Sequence, residues 1–126
     1  MSTSATPAQA LGEAFVAALV DGDADAVAAS LAPNARLSAL LPGGIREELG
    51  RTAVAGAFAD WFVRYSTARE LLESDVDVIA GQLSVRYRMH TSTGGRASVI
   101  EQHLYATVDD PGLGDIRLMC TGFHPR

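Results

Sequence analysis

The sequence predicts an α+β fold, a cone in which three N-terminal helices pack on a strongly curved, mainly antiparallel sheet. Three observations carry this expectation. Apolar residues recur at helical spacing in the first half of the chain, apolar and polar residues alternate as strands from Asp75 onward, and two long strands close the sequence. The final pair, Ala97 to Val108 and Asp115 to Phe123, is joined by the turn-rich stretch Asp109-Asp110-Pro111-Gly112-Leu113-Gly114. Helices followed by a meander give a curved sheet wrapped over helices, with a pocket inside. The 126 residues suit one domain. Residues 1–6 are expected to be a flexible N-terminus and 7–126 the single domain.

Thr6-Pro7 starts the first helix with a capping hydroxyl and a proline at the first helical position. Leu11, Phe15, Ala18 and Leu19 give it one apolar face, and Gly22 ends it. Asp23 caps a short second helix through Val27 and Leu31 that stops before Pro33. Ala35 to Leu41 alternates as a strand, with Leu37, Ala39 and Leu41 on one face and Arg36 and Ser38 on the other. Pro42-Gly43-Gly44 turns it, and Ile45 to Leu49 returns. Thr52 is the expected cap of a third helix, whose stripe is Val54, Phe58, Trp61, Phe62 and Tyr65. Val76, Val78 and Ala80 then alternate with Asp75, Asp77 and Ile79. Val85, Tyr87 and Met89 alternate with Ser84, Arg86, Arg88 and His90.

The formal net charge is −5, and all ten basic residues are dispersed arginines. Phosphate binding needs a concentrated cationic face, so no nucleic-acid partner is expected. A lone Cys120 precludes an internal disulfide framework and fits a reducing compartment. The N-terminus lacks a basic n-region and a long apolar core, and no stretch nears the roughly 20 apolar residues that span a bilayer. A cytoplasmic protein with no membrane partner is expected.

Several motifs fail on inspection. Asp21, Asp23 and Asp25 imitate the start of a calcium loop, but its sixth position is Ala26 and its twelfth Ala32. His90, His103 and His124 lack zinc-ligand spacing. Gly94-Gly95 and Gly112-Leu113-Gly114 lack the strand-to-helix setting of a phosphate loop, and no Gly-x-Ser-x-Gly elbow occurs. No metal and no cofactor are expected.

The hairpin register controls the functional reading. Glu101, His103 and Tyr105 share one face of a strand and would form an acid/base site if that face lined the pocket. Gly94-Gly95 reads as a two-residue type I′ loop, which sets Thr93 opposite Arg96. Counting back, Arg88 faces Glu101, Arg86 faces His103, Tyr87 faces Gln102 and Val85 faces Leu104. The apolar sets of both strands then coincide. On this register the inner face carries Ile100, Gln102, Leu104 and Ala106, joined by Ile116, Leu118 and Cys120, and Glu101 and His103 lie outside. A longer loop or a bulge would reverse the faces. The ligand-contact candidates are Trp61, Tyr65, Tyr87, Gln102 and Cys120; no catalytic residue is assigned, and Glu101, His103 and Tyr105 are the set for the other register. The competing structural roles are core packing for Trp61 and Cys120, satisfaction of buried backbone by Gln102, and a solvent-reaching rim position for Tyr87.

Over residues 7 to 124 the chain resembles the nuclear transport factor 2-like superfamily, especially its SnoaL-like and ketosteroid-isomerase-like small proteins. The resemblance rests on residues 15–23 (FVAALVDGD), 31–37 (LAPNARL), Gly50-Arg51 and Val99-Ile100-Glu101-Gln102-His103. It implies the cone fold but no single activity, because the superfamily includes isomerases, aldol-type cyclases, dehydratases, epoxide hydrolases and binding-only proteins. Laid on this sequence, the isomerase donor tyrosine falls on Phe15 and the base on Ala39, with the donor acid at Glu101 or Gln102. SnoaL-type cyclases place Gln and His two residues apart on a strand, whereas Gln102 and His103 are adjacent. An epoxide hydrolase's Asp-Arg-Asp set is not assembled here.

Two functions follow as expectations. One is a small-ligand pocket protein doing cofactor-independent, isomerase- or cyclase-type proton transfer on an apolar carbonyl compound. The other is a non-catalytic ligand-binding or dimerisation module of the same fold. The outer sheet face, with Arg86, Arg88, Glu101, His103 and Arg117, is the expected homodimer surface.

Overall fold

The computed structural model describes residues 7–64, 66–109 and 112–125. The expected flexible N-terminus, residues 1–6, lies outside the described residues, as do Tyr65 and the turn residues Asp110 and Pro111. Helix α1 spans Pro7–Asp21 and buries Phe15, Val16, Ala18 and Leu19. Gly22, at φ 65°, ends it: the Gly22 N–H donates to Leu19 O and the Asp23 N–H to Ala18 O, the paired bonds of a left-handed helix stop. Asp23 then caps α2, Ala24–Ala29, by accepting from the Ala26 N–H at 3.1 Å.

Strand β1 is Leu31–Leu41, so Leu31 and Pro33 belong to a strand and not to the end of α2. The helix stops at Ala29 because Ser30 closes it, its hydroxyl donating to Ala26 O. Pro33 is tolerated because β1 slips register with its neighbour between Leu31 and Arg36, where no ladder donor is required. Strand β2 is Gly44–Leu49. Helix α3, Arg51–Ala59, is capped by Gly50 and not by Thr52. Gly50 has φ 91°, and its N–H donates to Ala35 O while its carbonyl accepts from the Val54 N–H, so backbone bonds anchor the start of the helix. A π-helical turn, Asp60–Arg64, extends it.

Strands β3 (Ala68–Ile79), β4 (Gln82–Thr93), β5 (Arg96–Asp109), β6 (Gly112–Cys120) and the short β7 (His124–Pro125) complete the chain. The strand order is β2-β1-β6-β5-β4-β3, with β1 and β6 parallel, the other pairs antiparallel and β7 alongside β5. Two expected boundaries move. Strand β3 begins seven residues before Asp75, because its first half is an exposed edge with a bulge at Leu72 and shows no alternation. Strand β6 begins inside the expected turn, at Gly112, and ends at Cys120 before Phe123.

The helices lie on the inner face of the sheet. Phe15 and Phe58 meet edge to face at 5.0 Å and Phe62 meets Tyr87 at 6.1 Å, all four fully buried. Arg69 ties this layer to the sheet edge. Its Nε donates to Val20 O at 3.0 Å and its Nη1 to Phe62 O and Ser66 O at 2.9 Å, so one guanidinium satisfies carbonyls at the ends of α1 and the π turn. Gly22 makes room for it, since a Cβ there would overlap the guanidinium. Among the described residues no helix is long and apolar enough to cross a membrane.

The β3–β4 turn holds Ala80 at φ 51°, beside Gly81 at φ 79°. A left-handed alanine is strained, and a type I′ turn prefers asparagine there. Ala80→Asn is expected to raise unfolding stability by about 1 kcal/mol in urea titrations; no gain would contradict this turn geometry.

Candidate functional site

The β4–β5 hairpin turns on Gly94 and Gly95, at φ 56° and 81°, as a two-residue loop requires. Thr93 pairs with Arg96, Arg88 with Glu101, Arg86 with His103 and Tyr87 with Gln102. Gln102, Leu104 and Ala106 are therefore buried on the inner face, together with Ile116 and Leu118 of β6. Arg117 is exposed on the outside.

Tyr87, Gln102 and Cys120 form one chain of hydrogen bonds inside the cone. The Tyr87 hydroxyl donates to Gln102 Oε1 at 2.5 Å, Gln102 Nε2 donates to Cys120 Sγ at 3.4 Å, and the Gly122 N–H donates to the same sulfur at 3.3 Å. Tyr87 and Gln102 are 0% exposed and Cys120 is half-buried. Tyr87 is thus enclosed rather than at a rim, and Gln102 bonds side chains rather than backbone. Burial, with a smaller contribution from a charge on Cys120, pushes the phenol well above its usual pKa of 10, so it stays a proton donor. Its proton already has an acceptor in Gln102.

Trp61 stands half-buried beside this core. Phe58 meets its edge at 5.3 Å, and the Arg46 guanidinium lies 5.8 Å over its ring. Arg46 is in turn held by Glu48 at 2.9 Å and Asp60 at 3.0 Å. The fifth ligand-contact candidate, Tyr65, is outside the described residues. The isomerase positions Phe15 and Ala39 are both fully buried. Among the described residues the buried polar side chains are Ser30, Ser66, Thr91, Gln102 and the Tyr87 phenol. None is a carboxylate or an imidazole.

Glu101, His103 and Tyr105 are on the outer face. Glu101 joins an ion-pair ladder. Arg88 bonds Glu101 at 2.9 Å and Glu73 at 3.2 Å, while Arg86 bonds Asp75 at 2.8 Å and Glu73 at 3.3 Å. Hydrogen bonds to Asp75 first, then Glu73, hold the Arg86 guanidinium above its usual pKa. His103 Nε2 lies 3.0 Å from Ser84 Oγ, and its ring lies 4.7 Å from that of Tyr105. The imidazole is therefore brought to a hydroxyl and a phenol, with its carboxylate neighbour Glu101 bound elsewhere.

Sequence reasoning missed an outer groove of about 520 Å³ beside these residues. Strands β1, β2, β5 and β6 line it, including Leu40, Ile45, Tyr105, Arg117 and Met119. The signal was present in β1, where Leu40 is an apolar residue at an outward position of an otherwise alternating strand. Sequence reasoning also passed over Thr91, 1% exposed, whose hydroxyl has no hydrogen-bond partner among the described residues.

These two hydroxyls are expected to respond oppositely. Tyr87→Phe leaves Gln102 Oε1 buried without a donor and should cost about 1–3 kcal/mol. Thr91→Val removes an unbonded hydroxyl at nearly constant shape and should be neutral or slightly stabilising. Urea unfolding of both variants checks this, and the reverse order would contradict the hydrogen-bond assignment.

No protein-family model matches the sequence, and no curated protein matches it. Solved structures do. A candidate polyketide cyclase from Xanthomonas campestris pv. campestris is similar at 22% identity and TM-score 0.70, over 90% of this chain and 89% of that one. An LEH-like epoxide hydrolase from M. tuberculosis is similar at 18% identity and TM-score 0.71, over 90% and 82%. A candidate ketosteroid isomerase from Kribbella flavida follows at 16% identity and TM-score 0.68, over 95% and 82%. At these identities the likeness is one of fold. The chain has the α+β cone fold of the SnoaL-like, nuclear transport factor 2-like proteins.

Proposed function

We propose that this protein is a non-catalytic module of its fold, with a cone packed for structure and a working surface outside it. One observation carries the reading: Tyr87, Gln102 and Cys120 on the inner face are bonded to one another, the buried Thr91 beside them carries an unbonded hydroxyl, and none of these four is a carboxylate or an imidazole. Proton transfer at carbon needs a base within reach of the substrate and a donor for the developing oxyanion. Tyr87 has the donor's chemistry, but Gln102, Cys120 and Thr91, the described polar side chains that share its face of the sheet, lack the base's.

A second reading is cofactor-independent, isomerase- or cyclase-type proton transfer on a small apolar carbonyl compound. The names of the similar structures favour it, together with the protonated Tyr87 phenol beside Gln102. In that reading Gln102 and Tyr87 release each other and hold a carbonyl oxygen, with Trp61 and Cys120 as apolar walls.

Proton–deuteron exchange separates the two. Cyclohexenone and a cyclic β-keto ester are incubated in heavy water with the protein, and α-proton loss is followed by NMR. The expected result is exchange at the buffer rate. Protein-dependent exchange that is lost in Tyr87→Phe, with the fold intact by circular dichroism, would overturn the non-catalytic reading.

A further inference from the structure

The outer groove has a floor, an apolar side and a charged side, and strand register places each. Three adjoining rows cross the sheet there: Ile45–Leu40–Met119–His103, then Glu47–Ser38–Arg117–Tyr105, then Leu49–Arg36–Asp115. Ser38 is the small side chain at the middle. Leu40 and Arg36 are its same-face neighbours along β1, Glu47 faces it from β2 and Arg117 from β6. The groove of about 520 Å³ opens over it. A second hollow of about 220 Å³ shares Arg36, Ser38, Glu47 and Asp115 with the first.

The apolar side is a strip held in water. Ile45 is 71% exposed, Met119 64% and Leu40 51%. The rings of His103 and Tyr105, 4.7 Å apart, stand at its β5 end. The charged side carries two guanidinium groups, Arg36 and Arg117, and two carboxylates, Glu47 and Asp115. None of the four enters an ion pair among the described residues. Glu47 and Arg117 start two strand spacings apart, about 9.6 Å, with the short Ser38 between them. Opposite charges are thus presented across a gap that no side chain fills.

That pattern selects a class of ligand. A ligand of one charge sign would be attracted by one pair of groups and repelled by the other. An amphoteric ligand meets both: a guanidinium binds a carboxylate through two parallel N–H bonds, and an ammonium donates to a carboxylate. We propose that this groove binds a free α-amino acid with a large apolar side chain. Its carboxylate is held by Arg117 and Arg36 and its ammonium by Glu47, and its side chain covers Leu40, Ile45 and Met119. Asp115, in register with Arg36, keeps the site near neutrality. The volume falls within the roughly 300–1,000 Å³ usual for small-molecule sites.

The proposal rests on the non-catalytic reading by naming the ligand of its working surface, and its test is separate from the exchange assay. L-phenylalanine is the probe, titrated into the protein by calorimetry. Saturable binding with Kd below about 1 mM is expected. N-acetyl-L-phenylalanine lacks the ammonium, L-phenylalaninamide lacks the carboxylate and glycine lacks the apolar part. Each should bind at least about tenfold more weakly. Arg117→Gln and Glu47→Gln should each weaken L-phenylalanine binding by about tenfold or more. Both side chains are exposed, so circular dichroism should stay unchanged. Ile79→Ser, at the far β3 edge, should bind as the wild type does. No saturable binding up to about 10 mM, the result if a second chain covered the groove, would overturn the proposal. So would blocked forms that bind as tightly as the free amino acid, the result for a peptide end or for apolar contact alone. Full affinity in both glutamine variants would overturn it as well. Absent binding without α-proton exchange sinks this proposal alone; binding with protein-dependent exchange sinks the non-catalytic reading alone.

Discussion

The register between β4 and β5 decides what every other part of this molecule can do. Two glycines at positive φ close the hairpin in two residues, and Glu101, bonded to Arg88 at 2.9 Å and 3.8 Å from Arg86, holds the outer side of the same register. A slip of one residue would exchange the two faces of β5. Glu101 and His103 would enter the core while Gln102 and Leu104 went to solvent. The ion pairs are exposed and individually weak. Their larger effect is against the wrong register, which would bury a carboxylate without a cation.

With that register set, the described inner face is a largely apolar core. Phe15, Phe58, Phe62 and Tyr87 fill it, and the amide of Gln102 bridges the phenol and the Cys120 sulfur. Such a chain contributes stability mainly by leaving no buried donor or acceptor unmatched. Arg69 performs the same service at the periphery, where it satisfies carbonyls from two helical segments and fixes the helical layer to the sheet edge. Among the described residues the outer half-face carries the exposed apolar side chains Leu40, Ile45 and Met119 and the charges of Arg36, Arg117, Glu47 and Asp115, which enter none of the ion pairs. Similar folds carry names from cyclase to epoxide hydrolase, so these residues, and not the cone, carry the functional argument.

The fold class, the hairpin register and the faces of β4, β5 and β6 were readable from the sequence, because each rests on local chemistry. Gly94-Gly95 dictates the loop, and period-two alternation marks the buried sides. Failures occurred where the local signal was weak. Residues 68–74 form an exposed, bulged edge that shows no alternation. Leu31 and Pro33 read as the end of a helix because strand β1 is irregular there. Thr52 looked like a better cap than Gly50, whose capping is done by backbone. The partnership of Tyr87 with Gln102 followed from the register, but the closure of that pair, with Cys120 as its third member, depends on three-dimensional packing. The outer groove was overlooked for the same reason, since it needs β2, β1, β6 and β5 side by side.

The most direct test of the account is the relative reactivity of cysteines placed at 101 and 102. In a Cys120→Ser background, Glu101→Cys and Gln102→Cys are each treated with a thiol reagent under native conditions and followed by mass spectrometry. The account predicts ready labelling at 101 and labelling at 102 slower by about a hundredfold or more, limited by opening of the core. Equal rates, or faster labelling at 102, would contradict the register and, with it, the assignment of the buried and outer faces of β5.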